Sequence, residues 1–175
     1  MRVDLLKILV LGLCLSLSPV YPAGAAQNPD QAKGKDSGGQ YGAALSRVYF
    51  AHQRLLAVRD ACAQAFPAQA KAGEQAYAGW LARHRKLVDE LDARVTMMIR
   101  GSSRDEKEYM RNVGKYEGSI LEYRNSERDE LLAQPREGME QGCADFRNYL
   151  GGSGSDFQKE YAEELRLLRQ RKLPK

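Results

Sequence analysis

The stretch LSRVYFAHQRLLAVRDACAQAFPAQAKAGEQAYAGWLARHRKLVDELDARVTMM, residues 45–98, decides the fold. In its first part Leu45, Val48, Tyr49, His52, Leu55, Leu56, Arg59, Cys62 and Phe66 recur at steps of three and four, the period of one buried helix face. In its second part Ala72, Ala76, Tyr77, Trp80, Leu81, His84, Leu87, Val88, Leu91, Val95 and Met98 repeat that period. Pro67 separates the two, because proline disfavours helix in the residue before it and is tolerated in a first turn. The spacing predicts a long helical hairpin. Arg85 with Asp89, Lys86 with Glu90 and Glu90 with Arg94 fall outside the stripe at i,i+4, as on a solvated face. Ala70, Gly73, Ala76 and Gly79 leave room for a close helix approach or serve as small filler.

Downstream, Gly101-Ser102-Ser103 stops the second helix, and Ser103 with Glu106 has capping-box spacing for the next. The third pattern, Met110, Val113, Glu117, Ile120, Leu121, Arg124 and Leu131, contains Gly114 and Gly118. Each interior glycine costs about 1 kcal/mol against alanine, so this helix is expected to be bent, loose or closely crossed there. Pro135 ends it. Met139, Cys143, Phe146 and Leu150 make a short fourth helix, and Gly151 to Gly154 a loop. Ser155 with Gln158 caps a last helix carrying Phe157, Tyr161, Leu165 and Leu168, which stops before Pro174. No strand alternation of useful length appears. The fold class is therefore all-α, an antiparallel helical bundle of four to five helices, since brief connections make consecutive helices neighbours.

Upstream, Arg2 and Lys7, the apolar run from Ile8 to Leu17, and Ala23-Gly24-Ala25-Ala26 follow the order of a secretory signal peptide, placing it at residues 1–26. The run is too short for a membrane span, which needs roughly 20 apolar residues. Cys14 lies inside the run behind Leu13, where lipidation requires a small residue. Residues 27–42, rich in Gly, Gln, Lys and Asp, bury too little to offset their ordering entropy and read as a flexible leader, leaving a single helical domain at 43–173. Such a chain is expected in the periplasm or outside the cell.

Removing Arg2, Lys7 and Asp4 from 27 basic and 23 acidic residues leaves 25 and 22, a balance of +3. The charges are interleaved, which argues against nucleic acid as a partner. Arg166, Arg169, Arg171, Lys172 and Lys175 are the exception, a basic end that suits a helix C-terminus and could touch an anionic surface weakly. Of three cysteines, Cys62 and Cys143 remain after processing, and an even count in an exported chain reads as one disulfide. Neither sits in a CxxC, so redox exchange and haem attachment are unsupported.

The two histidines, His52 and His84, lie in apolar stripes on opposite arms of the hairpin. Counted from the turn, their levels differ by about 4 to 5 Å at 1.5 Å per residue, so they can face each other. A histidine pair is a start on a metal site, but three or four ligands are required and the Glu-x-x-His signature of di-iron bundles is absent. Core histidines bonded to a neighbour are the commoner arrangement. Arg59 and Arg124 also fall in apolar stripes and need carboxylate partners, with Glu117 a candidate. Arg59, His52 and Tyr49 form a possible anion or ligand pocket. Tyr109, Tyr116 and Tyr123 recur every seven residues, either half-buried packing or a recognition face.

No nucleophile elbow, phosphate loop or metalloprotease helix motif is present, and no cofactor is implied. The composition favours a non-enzymatic exported helical protein that binds another macromolecule of the envelope, as an inhibitor, immunity or assembly factor does. The alternatives are a small-ligand or metal carrier at the His52/His84 level and an envelope hydrolase or transferase.

Overall fold

In the computed structural model, which describes residues 29–173, α1 (Pro29–Ala65) and α2 (Ala70–Gly101) form the hairpin around Phe66 and a single 3-10 turn, Pro67–Gln69. The chain divides into two compact units, Met1–Lys33 and Gly34–Lys175, and the bundle is the second. The expected signal peptide and Cys14 lie outside the described residues, as do Pro174 and Lys175. Four further helices follow: α3 (Glu106–Leu132), α4 (Arg136–Gly151), α5 (Phe157–Glu160) and α6 (Ala162–Arg169). Among the described residues there is no strand, and no helix is long and apolar enough to cross a membrane.

Pairs of touching residues give the topology. His52 meets Tyr77, and Tyr41 meets Arg94, so α1 and α2 are antiparallel. Tyr49 meets Tyr116, Phe50 meets Tyr123 and Arg54 meets Glu127, so α3 runs with α1. Arg147 reaches Gln69, Phe157 packs on Trp80 and Arg169 grips Glu90, so the segmented fourth position, α4 to α6, runs with α2. The result is the expected antiparallel bundle, with Cys62 and Cys143 joined between α1 and α4 at a Cα separation of 5.6 Å.

The α2 stripe is buried as its period requires: Tyr77, Trp80, His84, Leu87, Val88, Leu91 and Val95, with Ile99 rather than Met98 closing it. Phe146, Leu150, Phe157, Leu165 and Leu168 cover it from the fourth position. Helix α3 is peripheral, and only Ile120 in it is buried.

Several local expectations are corrected. Helix α1 begins at Pro29, inside the stretch read as a flexible leader, and Tyr41 is only 4% exposed. A helix nucleated on a packed face extends at little cost into polar sequence, so composition alone misplaces its start. The α3 cap is Asp105, which accepts from the Glu108 amide, while the Glu108 carboxylate takes the Arg104 amide; Ser103 instead donates to the Ile99 carbonyl. The last helix is capped by Asp156, not Ser155, and breaks at Tyr161 into α5 and α6. Nothing lies within 4 Å of a Cβ placed at Gly73, Gly114 or Gly118, so these glycines mark no close helix crossing. Glu90 and Arg94 do not lie on a solvated face: Arg94 is 3% exposed, bonded to Glu90, the Tyr41 hydroxyl and the Arg171 carbonyl.

The disulfide closes a separation of 81 residues, worth about 4.5 kcal/mol in the chain-entropy estimate, before any native strain. The Cys62→Ser, Cys143→Ser variant is expected to lose a large part of that in urea unfolding at neutral pH. An unchanged midpoint would mean that the bundle does not depend on the bridge.

Candidate functional site

Trp80 organises the polar groups of the core. Its indole N–H donates to the Ser155 carbonyl at 2.9 Å, and its ring stacks with both histidines, at 5.7 Å to His52 and 4.5 Å to His84. The histidines do occupy neighbouring levels of the hairpin, but the indole takes up the contact with each. His84 Nδ1 donates to the Trp80 carbonyl one helical turn back, and its Nε2 lies 3.8 Å from Asp156. His52 Nε2 shares a hydrogen bond of 2.9 Å with the Tyr77 hydroxyl, and its Nδ1 has no partner. Among the described residues no group of three His, Cys, Asp or Glu side chains converges as a metal would require.

Beside His52 lies a cluster built on Asp60. One of its carboxylate oxygens accepts from Arg59 at 2.6 and 2.8 Å and the other from Arg124 at 2.7 Å. Asp60, not Glu117, is thus the partner of both stripe arginines; Glu117 is exposed. Arg59 also reaches Glu74 at 3.4 Å and lies over the Tyr77 ring, while Arg124 Nε is buried without a partner. Tyr49 turns toward α3 and packs 6.0 Å from Tyr116, and burial raises its hydroxyl above the ordinary phenol range. His52 is 6% exposed, and burial, together with the guanidinium groups of Arg124 and Arg59, lowers it to about 4. Two guanidinium groups are set against the carboxylates of Asp60 and Glu74, beside an imidazole that burial keeps neutral, and two polar atoms, His52 Nδ1 and Arg124 Nε, are left without a partner. Chemically those two atoms suit a water or a small polar group. The enclosed void that Arg59 lines with Cys62, Phe66 and Arg147 is about 10 Å³, room for one water.

The tyrosine stripe divides among three contacts. Tyr116 packs on Tyr49, Tyr123 meets Phe50 edge-on at 4.7 Å, and Tyr109 lies under the Arg100 guanidinium at 3.5 Å. All three are half-buried, so they hold α3 to its neighbours more than they face solvent. The surface feature that the stripe does border is an open groove of about 460 Å³ between the end of α2 and α3, formed by Met98, Ile99, Ser102, Asn112, Tyr116 and Ser119. Met98 stands 38% exposed at its edge. Periodicity assigned Met98 to the core and so hid the groove; the adjacent pair Met97-Met98 was the available signal that one of them must face out.

His52 sets a pH dependence whose sign follows from its lowered pKa. Between the ordinary value of 6.5 and about 4 the unfolded chain takes up a proton that the folded one refuses, so stability falls as pH falls through that window. The full loss is on the order of 3 kcal/mol. Urea midpoints at pH 7 and pH 4.5 are expected to differ less in a His52→Gln variant than in the parent; equal differences would place the acid sensitivity elsewhere. Comparison with known proteins finds no family model, no curated protein and no solved structure that matches the chain.

Proposed function

We propose that the protein is an exported, non-enzymatic helical domain that binds another macromolecule, a protein of the cell envelope, at the groove between α2 and α3. The observation that carries this reading is the groove itself, an open depression where the exposed Met98 and the half-buried Tyr116 flank Ile99 at the edge of the core. An exposed apolar side chain beside a surface depression is the kind of anchor that a docking partner buries. Asn112 and Lys115 at its border add polar groups for orientation. The Cys62–Cys143 bridge supports an oxidising compartment, in keeping with the leader sequence.

A second reading, a carrier of a small anion or a metal, draws on the orphaned Nδ1 of His52 and Nε of Arg124. It ranks lower because neither residue lines the small void beside Arg59, and no group of three His, Cys, Asp or Glu side chains converges among the described residues.

The groove reading is tested by passing envelope extract of the source organism over immobilised oxidised protein and over its Met98→Asp variant. A stoichiometric protein held by the parent and lost by the variant is the expected result. Equal capture by both would move the binding face away from the groove, and no capture by either would remove the macromolecular partner.

A further inference from the structure

The disulfide has a void against it. Cys62 and Cys143 both line the small space of about 10 Å³ beside Arg59, which Gln69, Ala70 and Gly73 bound at the start of α2. Phe66, Cys143 and Phe146, which are buried, close its inner side, and the other residues around it are half-exposed. The void thus lies just under the surface. A space that holds one water is also about the size of one sulfur atom. Nothing lies within 4 Å of a Cβ placed at Gly73, so that part of the rim is bare backbone.

Each cysteine has an arginine one helical turn away on its own helix, and both arginines line this void: Arg59 three residues before Cys62, and Arg147 four after Cys143. Arg59 is engaged by Asp60 at 2.6 Å and by Glu74 at 3.4 Å. Arg147 bonds the Gln69 side-chain oxygen at 2.9 Å and has no carboxylate partner among the described residues. Glu140 and Asp145, which flank Cys143 on α4, do not line the void. A guanidinium beside a sulfur favours the thiolate, and a stabilised thiolate makes a disulfide easier to open by exchange. The two sulfurs differ in access. Cys62 is half-exposed, whereas Cys143 is 1% exposed, within the small cluster of Ala61, Phe66 and Met139.

We propose that the Cys62–Cys143 bridge is a redox switch, opened by a small thiol that enters between Gly73 and Arg147 and attacks Cys62. The thiolate sulfur bonds to Cys62 Sγ as the Cys62–Cys143 bond breaks, and Cys143 leaves as a thiolate beside Arg147 and takes up a proton from water. A second thiolate then attacks the first thiol's sulfur and releases Cys62, so that two thiols are oxidised to one disulfide and the bridge is reduced by two electrons. What opens is the corner where α4 begins. Phe66 and Met139 belong to a cluster separate from the main core, whereas Phe146 and Leu150 keep the far half of α4 on that core. The switch is independent of the groove between α2 and α3.

The test treats oxidised protein at low salt with three small thiols of similar size: mercaptoacetate, 2-mercaptoethanol and cysteamine, which are anionic, neutral and cationic. Samples quenched by alkylation are read by mass spectrometry, and each rate is divided by that of the same thiol with a small reference disulfide. The rate is expected to rise in proportion to thiol concentration, with the mixed disulfide on Cys62, and to favour mercaptoacetate over cysteamine by roughly threefold or more. Arg147→Glu is expected to invert that preference, a ratio that a general loosening of the fold leaves unchanged. Gly73→Leu, with its oxidised fold checked by circular dichroism, fills the entry and slows all three thiols roughly tenfold or more. A rate independent of thiol concentration would mean that the bridge is reached only through unfolding. That result, a mixed disulfide on Cys143, no change with Gly73→Leu, or the parent's charge preference retained in Arg147→Glu would each overturn the inference.

Discussion

The indole of Trp80 is the group on which the rest of the bundle depends. It is fully buried and draws contacts from three directions: His52 from α1, His84 from its own helix, and Phe157 with the Ser155 carbonyl from the fourth position. A buried indole N–H needs an acceptor. The break between α4 and α5 provides it. Gly152 and the 3-10 turn Ser153–Ser155 free a carbonyl to point inward, and the Ser155 hydroxyl in turn donates to the carbonyls of Leu150 and Gly152. The irregular loop in the fourth position thus supplies the acceptor for the tryptophan it covers.

Much of this was legible from the chain alone. The hairpin, the turn at Pro67, the ends of α2 and α3, and the Cys62–Cys143 pairing all follow from periodicity, proline and cysteine count, since each is decided by local sequence or by elimination. What escaped was decided by neighbours distant in sequence. The i,i+4 spacing of Glu90 and Arg94 is the same on a wet face as on a buried one, and only Tyr41 and the Arg171 carbonyl, brought from the two ends of the chain, distinguish them. Asp60 was hidden because it sits beside Arg59 rather than a helical turn away, and it serves Arg124 from another helix. The caps shifted to Asp105 and Asp156 because Ser103 and Ser155 direct their hydroxyls to carbonyls of the preceding helix or turn.

The candidate sites show the same division. Sequence placed both histidines inward and at neighbouring levels, and the structure agrees. It could not show that Trp80, on the same stripe, would occupy the contact with each ring. The heptad of tyrosines was visible as well, yet whether it faced solvent depended on Phe50 and Tyr49, which belong to the first helix.

The two ends of the bundle are held by clamps of different chemistry. At the hairpin turn the clamp is covalent, Cys62 to Cys143, with Phe66 and Met139 packed around it. At the other end it is ionic: Glu90 takes Arg94 and Arg169, while Arg171 covers Tyr41. Burial raises the Glu90 carboxyl, but its bonds to Arg169 and Arg94 outweigh this and hold it below the ordinary value. Thiol reductant therefore loosens one end and leaves the other closed, whereas acid or concentrated salt does the reverse. The bundle is a molecule with two independent latches, and its backbone amides will open from whichever end the surrounding solution unlocks.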